Sequence, residues 1–236
     1  MHPAQAVAAT MAGLGEQACR CDLESRIRTY GALADVFAGS REEVCAAVGR
    51  LRGAGSWCSL AFYDDESIHA LAREAEIAVR NPDAVSEFLV ERRRLIGAES
   101  FDPFENVVSP CGAMYVTDDP DTLLESLSST YAQAGYVVRF RVPCESHVAV
   151  ELDFMRFLLE CVRAQDPKAA EAAARFFIEH LSGWSLLFAV AFGDAAATPI
   201  ARYAAVTLDR FLSCEESVVR HSVPARCVQH RLADLP

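Results

Sequence analysis

Apolar residues recur at helical spacing along most of this chain, and strand-like alternation is nearly missing. Glu24 to Ala38 places Ile27, Tyr30, Leu33, Ala34 and Phe37 on one face. Ser40, with Glu43 three residues on, has the form of a capping box and opens a second helix through Leu51. Asp65 to Arg80 and Pro82 to Leu95 read as two more helices, parted by Asn81-Pro82. The period then breaks from Gly97 to Pro120, a segment too apolar at Phe101, Phe104, Val107, Val108, Met114 and Tyr115 to lie free in water. Helical spacing returns over Asp121 to Ala134, closed by Gly135, then over His147 to Arg163, Pro167 to Leu181 and Thr198 to Leu212. Trp184 to Phe192 is an apolar connection or a further helix, and Val137 to Val142 an extended link. The pattern predicts an all-α fold: one multi-helix bundle with a single long ordered loop. Residues 1–20 are expected to be a flexible N-terminal segment, 21–214 the helical domain and 215–236 a loosely ordered tail, because the period is lost after Cys214.

The most informative stretch runs from Pro143 to Glu160. Pro143, Glu145, Ser146 and His147 are loop-like, with Glu145 and His147 ionisable, and they open onto a segment apolar nearly all round. Ser146 can cap that helix by accepting from free backbone N–H groups. His147 and Glu151 stand four residues apart, so they share a ligand or pair with each other. Ser109, Pro110 and Tyr115 line a groove or form a tight turn plugged by the tyrosine ring.

Composition narrows the function. A formal net charge of −11 over 236 residues disfavours nucleic acid or an anionic membrane as partner, and suits a basic peptide. Nine cysteines in a chain without a secretory leader read as reduced thiols, and Cys19 and Cys21, the one close pair, have no second pair to complete a zinc site. The longest apolar run, Leu186 to Phe192, is far short of the roughly 20 residues a membrane span needs, so no membrane insertion is expected and the protein is expected in the cytoplasm. Glu66 and His69 have the spacing of a helical di-iron ligand pair, but no second copy exists, and a solvated face is expected there. Nucleophile elbows and phosphate or dinucleotide fingerprints are missing, so no enzyme, metal or cofactor is expected. Arg92, Arg93 and Arg94 read as cations at a helix end, set against its dipole, and His180 as structural.

Several motifs, in order, resemble the TorD/DmsD family of cytoplasmic chaperones for molybdenum-containing redox enzymes. Tyr30-Gly-Ala-Leu33-Ala34-Asp-Val-Phe37 is similar to the family's opening helix, and Arg94-Leu95-Ile96-Gly97 to its Arg-Leu-Phe-x-Gly segment. Ser109 to Tyr115 resembles its Pro-Tyr-Glu-Ser-x-Tyr stretch, with Cys111 and Gly112 as departures. His147 followed by Glu151-Leu152-Asp153-Phe154-Met155 matches the motif histidine and its helix, with Ser146 where members carry Asp and Glu145 as the nearest acid. Phe177, His180, Leu181 and Trp184 complete the series. The resemblance implies a chaperone that binds the twin-arginine signal peptide and apo-form of a molybdopterin oxidoreductase catalytic subunit of the dimethyl sulfoxide or trimethylamine oxide reductase type. The implied peptide site comprises Pro143, Glu145, Ser146, His147, Glu151, Leu95, Ile96, Ser109, Pro110 and Tyr115. Glu145 and Glu151 would meet the arginines. A homodimer by exchange of elements is compatible with the long loop. The alternatives are a chaperone for a non-exported reductase subunit and, more distantly, a helical metal-dependent enzyme.

Overall fold

The computed structural model describes residues 23–53, 66–97, 106–116 and 119–222. Helix α1 covers 23–38. It is followed by α2 (Arg41–Gly53), α3 (Glu66–Val79), α4 (Pro82–Ile96), α5 (Ala113–Val116) and α6 (Pro120–Ala134). Then come α7 (Val148–Arg163), α8 (Ala169–Glu179), a 3-10 turn at Leu181–Gly183, α9 (Ser185–Ala195) and α10 (Pro199–Ser222). The described residues contain no strand, only a lone antiparallel bridge between Cys111 and His147. The all-α expectation holds, and the Trp184 to Phe192 run resolves into α9.

Local chemistry sets the helix ends. The Ser40 N–H donates to Glu43 at 2.7 Å while the Glu43 N–H donates to the Ser40 hydroxyl at 3.3 Å, so the capping box forms. Asn81 caps α4 by accepting from the Asp83 N–H at 2.9 Å, with Pro82 in the first turn. Gly135 ends α6 at φ 72°, in the left-handed region that glycine enters without penalty. α10 is anchored from another helix: the buried Glu91 carboxylate of α4 accepts from the Ala197 and Thr198 N–H groups just before it.

α1 and α7 form the centre of the bundle. On α1, Tyr30, Leu33, Ala34 and Val36 are fully buried, and Phe37 packs edge-on against Phe188 and Phe192 of α9. α7 is buried continuously from Val148 to Met155, which leaves its Glu151 and Asp153 carboxyls away from water. Such groups must be satisfied internally. Asp153 accepts from Tyr136 Oη at 2.9 Å, Arg139 Nε at 2.9 Å and Arg156 Nε at 2.7 Å. Arg139 reaches on to Asp35 of α1 at 2.7 Å, and Arg50 pairs with the same Asp35. This network fastens the extended 136–147 link to both central helices.

Three expectations change. α10 continues through Ser222, past the expected end at Leu212, so the tail expected over 215–236 begins as helix. The reason is Glu215, which is buried and takes a fork of two hydrogen bonds from Arg26, at 2.6 and 2.8 Å, and one from Tyr30 at 3.0 Å. Second, the cysteines are not all reduced thiols: Cys111 and Cys144 form a disulfide, while Cys45, Cys161 and Cys214 are not disulfide-bonded. Third, the cap of α7 is His147 rather than Ser146, since His147 Nδ1 accepts from the Ala149 N–H at 3.1 Å. Of the long loop, 106–116 is ordered; Phe101, Phe104 and the rest of 98–105 lie outside the described residues, as do 1–22, 54–65, 117–118 and 223–236.

Replacing Asp153 with Ala strands two guanidinium groups and a phenol around α7, and we expect a loss of about 3–5 kcal/mol. Urea unfolding measures it; a loss under about 1 kcal/mol would contradict a structural role for this carboxylate.

Candidate functional site

The residues singled out by sequence fall into two groups on opposite sides of the α7 N-terminus. Ile96, Pro143 and His147 line an open cleft of about 460 Å³. Pro110, Ser146 and Glu151 lie behind it in the interior, with Ser109 and Tyr115 half-buried beside them, and Leu95 is buried in the core. Glu145 is half-buried, and its backbone carbonyl accepts from Tyr131 Oη at 3.0 Å.

The interior group works as a bolt between the 106–116 loop and α7. The Gly112 N–H donates to the Ser146 carbonyl, and the Val148 N–H to the Pro110 carbonyl, both at 2.8 Å. The Ala113 N–H donates to the Ser146 hydroxyl at 3.3 Å, which is where the expected cap went instead. Tyr115 donates to the Ser109 carbonyl at 3.0 Å and stacks on Trp184, with ring centroids 5.5 Å apart. Trp184 Nε1 donates to Glu151 Oε2 at 3.2 Å. A methyl group on Gly112 would sit 2.4 Å from that indole nitrogen, so only glycine fits there. Gly112, in the place of a family glutamate, is thus explained by Trp184. Ser109, Pro110 and Tyr115 make the plugged turn rather than a wall of the cleft.

His147 and Glu151 do not pair side chain to side chain. Burial, reinforced by the positive charge of Arg92, pushes the His147 imidazole down to about 3, against a hydrogen bond with the Ile96 backbone that favours the proton. With Nδ1 accepting from Ala149, the neutral ring carries its proton on Nε2. Burial pushes the Glu151 carboxyl up to about 8, with the Trp184 hydrogen bond opposing, so it is a neutral acid at pH 7. Neither residue offers a charge to a ligand.

The cleft itself is built from three segments distant in sequence. Phe37 and Ala38 come from the end of α1, and Leu89, Arg92, Arg93, Ile96 and Gly97 from the last turns of α4. Arg141, Val142 and Pro143 come from the extended link, and His147 forms part of the lining. Sequence reading missed Phe37, Leu89, Arg92, Arg93, Arg141 and Val142 as members of one site. Arg92 does not simply face the α4 dipole: its Nη1 donates to the Val36 carbonyl at 3.0 Å, and its guanidinium lies 5.9 Å from the Phe88 ring centroid. Among the described residues no His, Cys, Asp and Glu cluster could hold a metal ion, and Glu66 and His69 lie exposed on α3.

The two buried titrating groups give opposite pH dependences. The folded chain keeps a proton on Glu151 that the unfolded chain loses above 4.5, so that contribution falls as pH rises and is exhausted above about 8. Folded His147 refuses a proton that the unfolded chain takes below 6.5, so its contribution falls as pH drops from 6.5 toward 3. The slopes offset one another between 4.5 and 6.5, leaving Glu151 alone on the neutral-to-alkaline side. Wild-type protein is therefore expected to lose about 2 kcal/mol between about pH 6.5 and 8. Glu151→Gln keeps the acceptor for Trp184 and should flatten that decline in urea titrations; an unchanged slope would show that Glu151 is ionised in the fold.

Residues 83–190, from the first turn of α4 into α9, match the family model described as nitrate reductase delta subunit. No curated protein and no solved structure matches the chain. The matched segment contains α4, the 106–116 loop, the link and α7, so it covers both the bolt and most of the cleft. Over these residues, somewhat less than half of the chain, it is similar to the NarJ/TorD-type chaperones, a likeness that implies a role in the maturation of molybdoenzymes.

Proposed function

We propose that the protein is a dedicated chaperone for the catalytic subunit of a molybdopterin oxidoreductase of the dimethyl sulfoxide or trimethylamine oxide reductase type. In the cytoplasm it binds the apo-subunit through the twin-arginine signal segment and withholds it from export until the cofactor is loaded. It catalyses no reaction.

The observation that carries this reading is the cleft beside the Pro143–His147 motif. Phe37, Leu89, Ile96, Val142 and Pro143 give it apolar walls of a size that takes a turn or two of an amphipathic helix. The apolar stretch of the signal segment occupies the cleft. The signal's own arginines stay outside it, because Arg92, Arg93 and Arg141 repel them at the rim. Glu151, neutral and enclosed, does not read them; Glu145 and the acidic outer surface remain to do so. Among the described residues no single helix is long and apolar enough to cross a membrane, which suits a protein that meets its client before export.

The cationic rim also favours a second reading, a chaperone for a reductase subunit without an export signal. Titration with a twin-arginine signal peptide, its twin-lysine version and the signal-less N-terminal segment of a non-exported subunit separates them. The export reading expects binding of the first that weakens at least tenfold with lysine, and a similar loss in Val142→Trp, which fills the cleft. Binding of the third alone would favour the second reading, and binding of none would refute both.

A further inference from the structure

Several arginines of this acidic chain pair with carboxylates. Arg26 pairs with Glu215, Arg50 with Asp35, Arg52 with Glu76, Arg156 with Asp153 and Glu160, and Arg163 with Glu24. The cleft gathers arginines instead. Arg92, Arg93 and Arg141 converge on it, and no carboxylate is part of its lining. No described residue forms an ion pair or hydrogen bond with the Arg93 or Arg141 side chain. Arg92 is held in place by the Val36 carbonyl and Phe88, so its orientation is already set before any ligand arrives. Like charges gathered in an apolar cleft repel one another, and an anion relieves the repulsion.

Resting on the proposed function, we infer that this cleft reads an acidic side chain: the client segment that seats here carries a Glu or Asp flanked by apolar residues. Arg93 and Arg141 are its readers, and Arg92 a fixed backing charge. Guanidinium groups bind a carboxylate through paired, charge-assisted hydrogen bonds, while Phe37, Leu89, Ile96 and Val142 hold the flanking apolar side chains. Affinity and selectivity then come from different parts of one cleft.

A carboxylate suits the site better than a phosphate. Phosphate sites commonly use free backbone N–H groups at a helix N-terminus. Here the cleft lies at the C-terminal turn of α4, whose dipole opposes dense negative charge. The N-terminal groups of the neighbouring α7 are taken: Val148 N–H by Pro110, Ala149 N–H by His147 Nδ1, and Val150 N–H by the His147 carbonyl. The neutral His147 adds no charge. What remains is a set of side-chain cations on apolar walls, matched to one carboxylate among hydrophobes.

The test uses the full chain and a fluorescent helix-forming peptide of Leu, Phe and Ala with two central Glu residues, beside versions with Gln or Lys at both positions. The Glu peptide is expected to bind at least tenfold more tightly than the Gln peptide and to weaken as salt is raised. Arg93→Glu with Arg141→Glu should reverse the preference toward the Lys peptide. Both arginines are exposed, so an unchanged melting temperature checks that the fold survives. Equal binding of all three peptides would overturn the inference, as would displacement of the Glu peptide by inorganic pyrophosphate more readily than by the free peptide itself. The two failures are distinguishable. A signal peptide bound by wild type while the Glu peptide is ignored removes the carboxylate reader and leaves the chaperone function. Binding of the Glu peptide without retention of any reductase segment removes the function and leaves the reader.

Discussion

The imidazole of His147 lies between two helix ends, and the surrounding structure requires it to be neutral there. Its Nδ1 must remain an acceptor to cap α7, and the charge of Arg92 stands close enough to oppose a second proton. An imidazolium would lose the cap, leave the Ala149 N–H without its acceptor and add a cation to an already cationic cleft. The same residue lines the cleft on one side and, through its bridge to Cys111, touches the interior bolt on the other. The motif histidine thus acts as a hub: it sets where α7 begins, and so where the cleft and the 106–116 loop stand.

Around that hub the buried polar groups act as fasteners between elements. Asp153 joins the link to α7 and α1, Glu215 joins α10 to α1, Glu91 joins α4 to the start of α10, and Glu151 joins α7 to Trp184. Each carboxyl is satisfied by donors from a second element, so each specifies a register between helices that apolar packing alone leaves free. The outcome is a frame in which a cationic, partly apolar cleft sits at the family motif. The function proposed for such a frame is recognition, with binding energy drawn from apolar burial and selectivity from charge.

Most of the helical skeleton was legible in the sequence. Ser40 with Glu43, Asn81-Pro82 and Gly135 are local signals, and the structure uses each as read. Long-range features were not legible. Nothing near Glu215 indicates that it turns inward to Arg26 and Tyr30, so α10 was expected to end early. Cys111 and Cys144 have no distinctive spacing, and only the crossing of the loop and the link brings them together. The candidate site was half legible: the motif located the end of α7 beside the cleft, but the spacing of His147 and Glu151 could not tell a ligand pair from two separate interior roles. The cleft escaped notice because its walls come from α1, the end of α4 and the link, and because three adjacent arginines read as a helix terminus rather than as an anion site.

Site-specific photocrosslinking tests the central claim most directly. A benzophenone side chain at Val142, in the cleft, is compared with one at Val190, exposed in the separate groove between α9 and α10. Each variant is co-expressed with an apo molybdopterin reductase catalytic subunit that the wild-type chain retains. The account predicts a crosslink from Val142 to the N-terminal segment of that subunit and none from Val190. A crosslink from Val190 with none from Val142 would place the client on another face and contradict it.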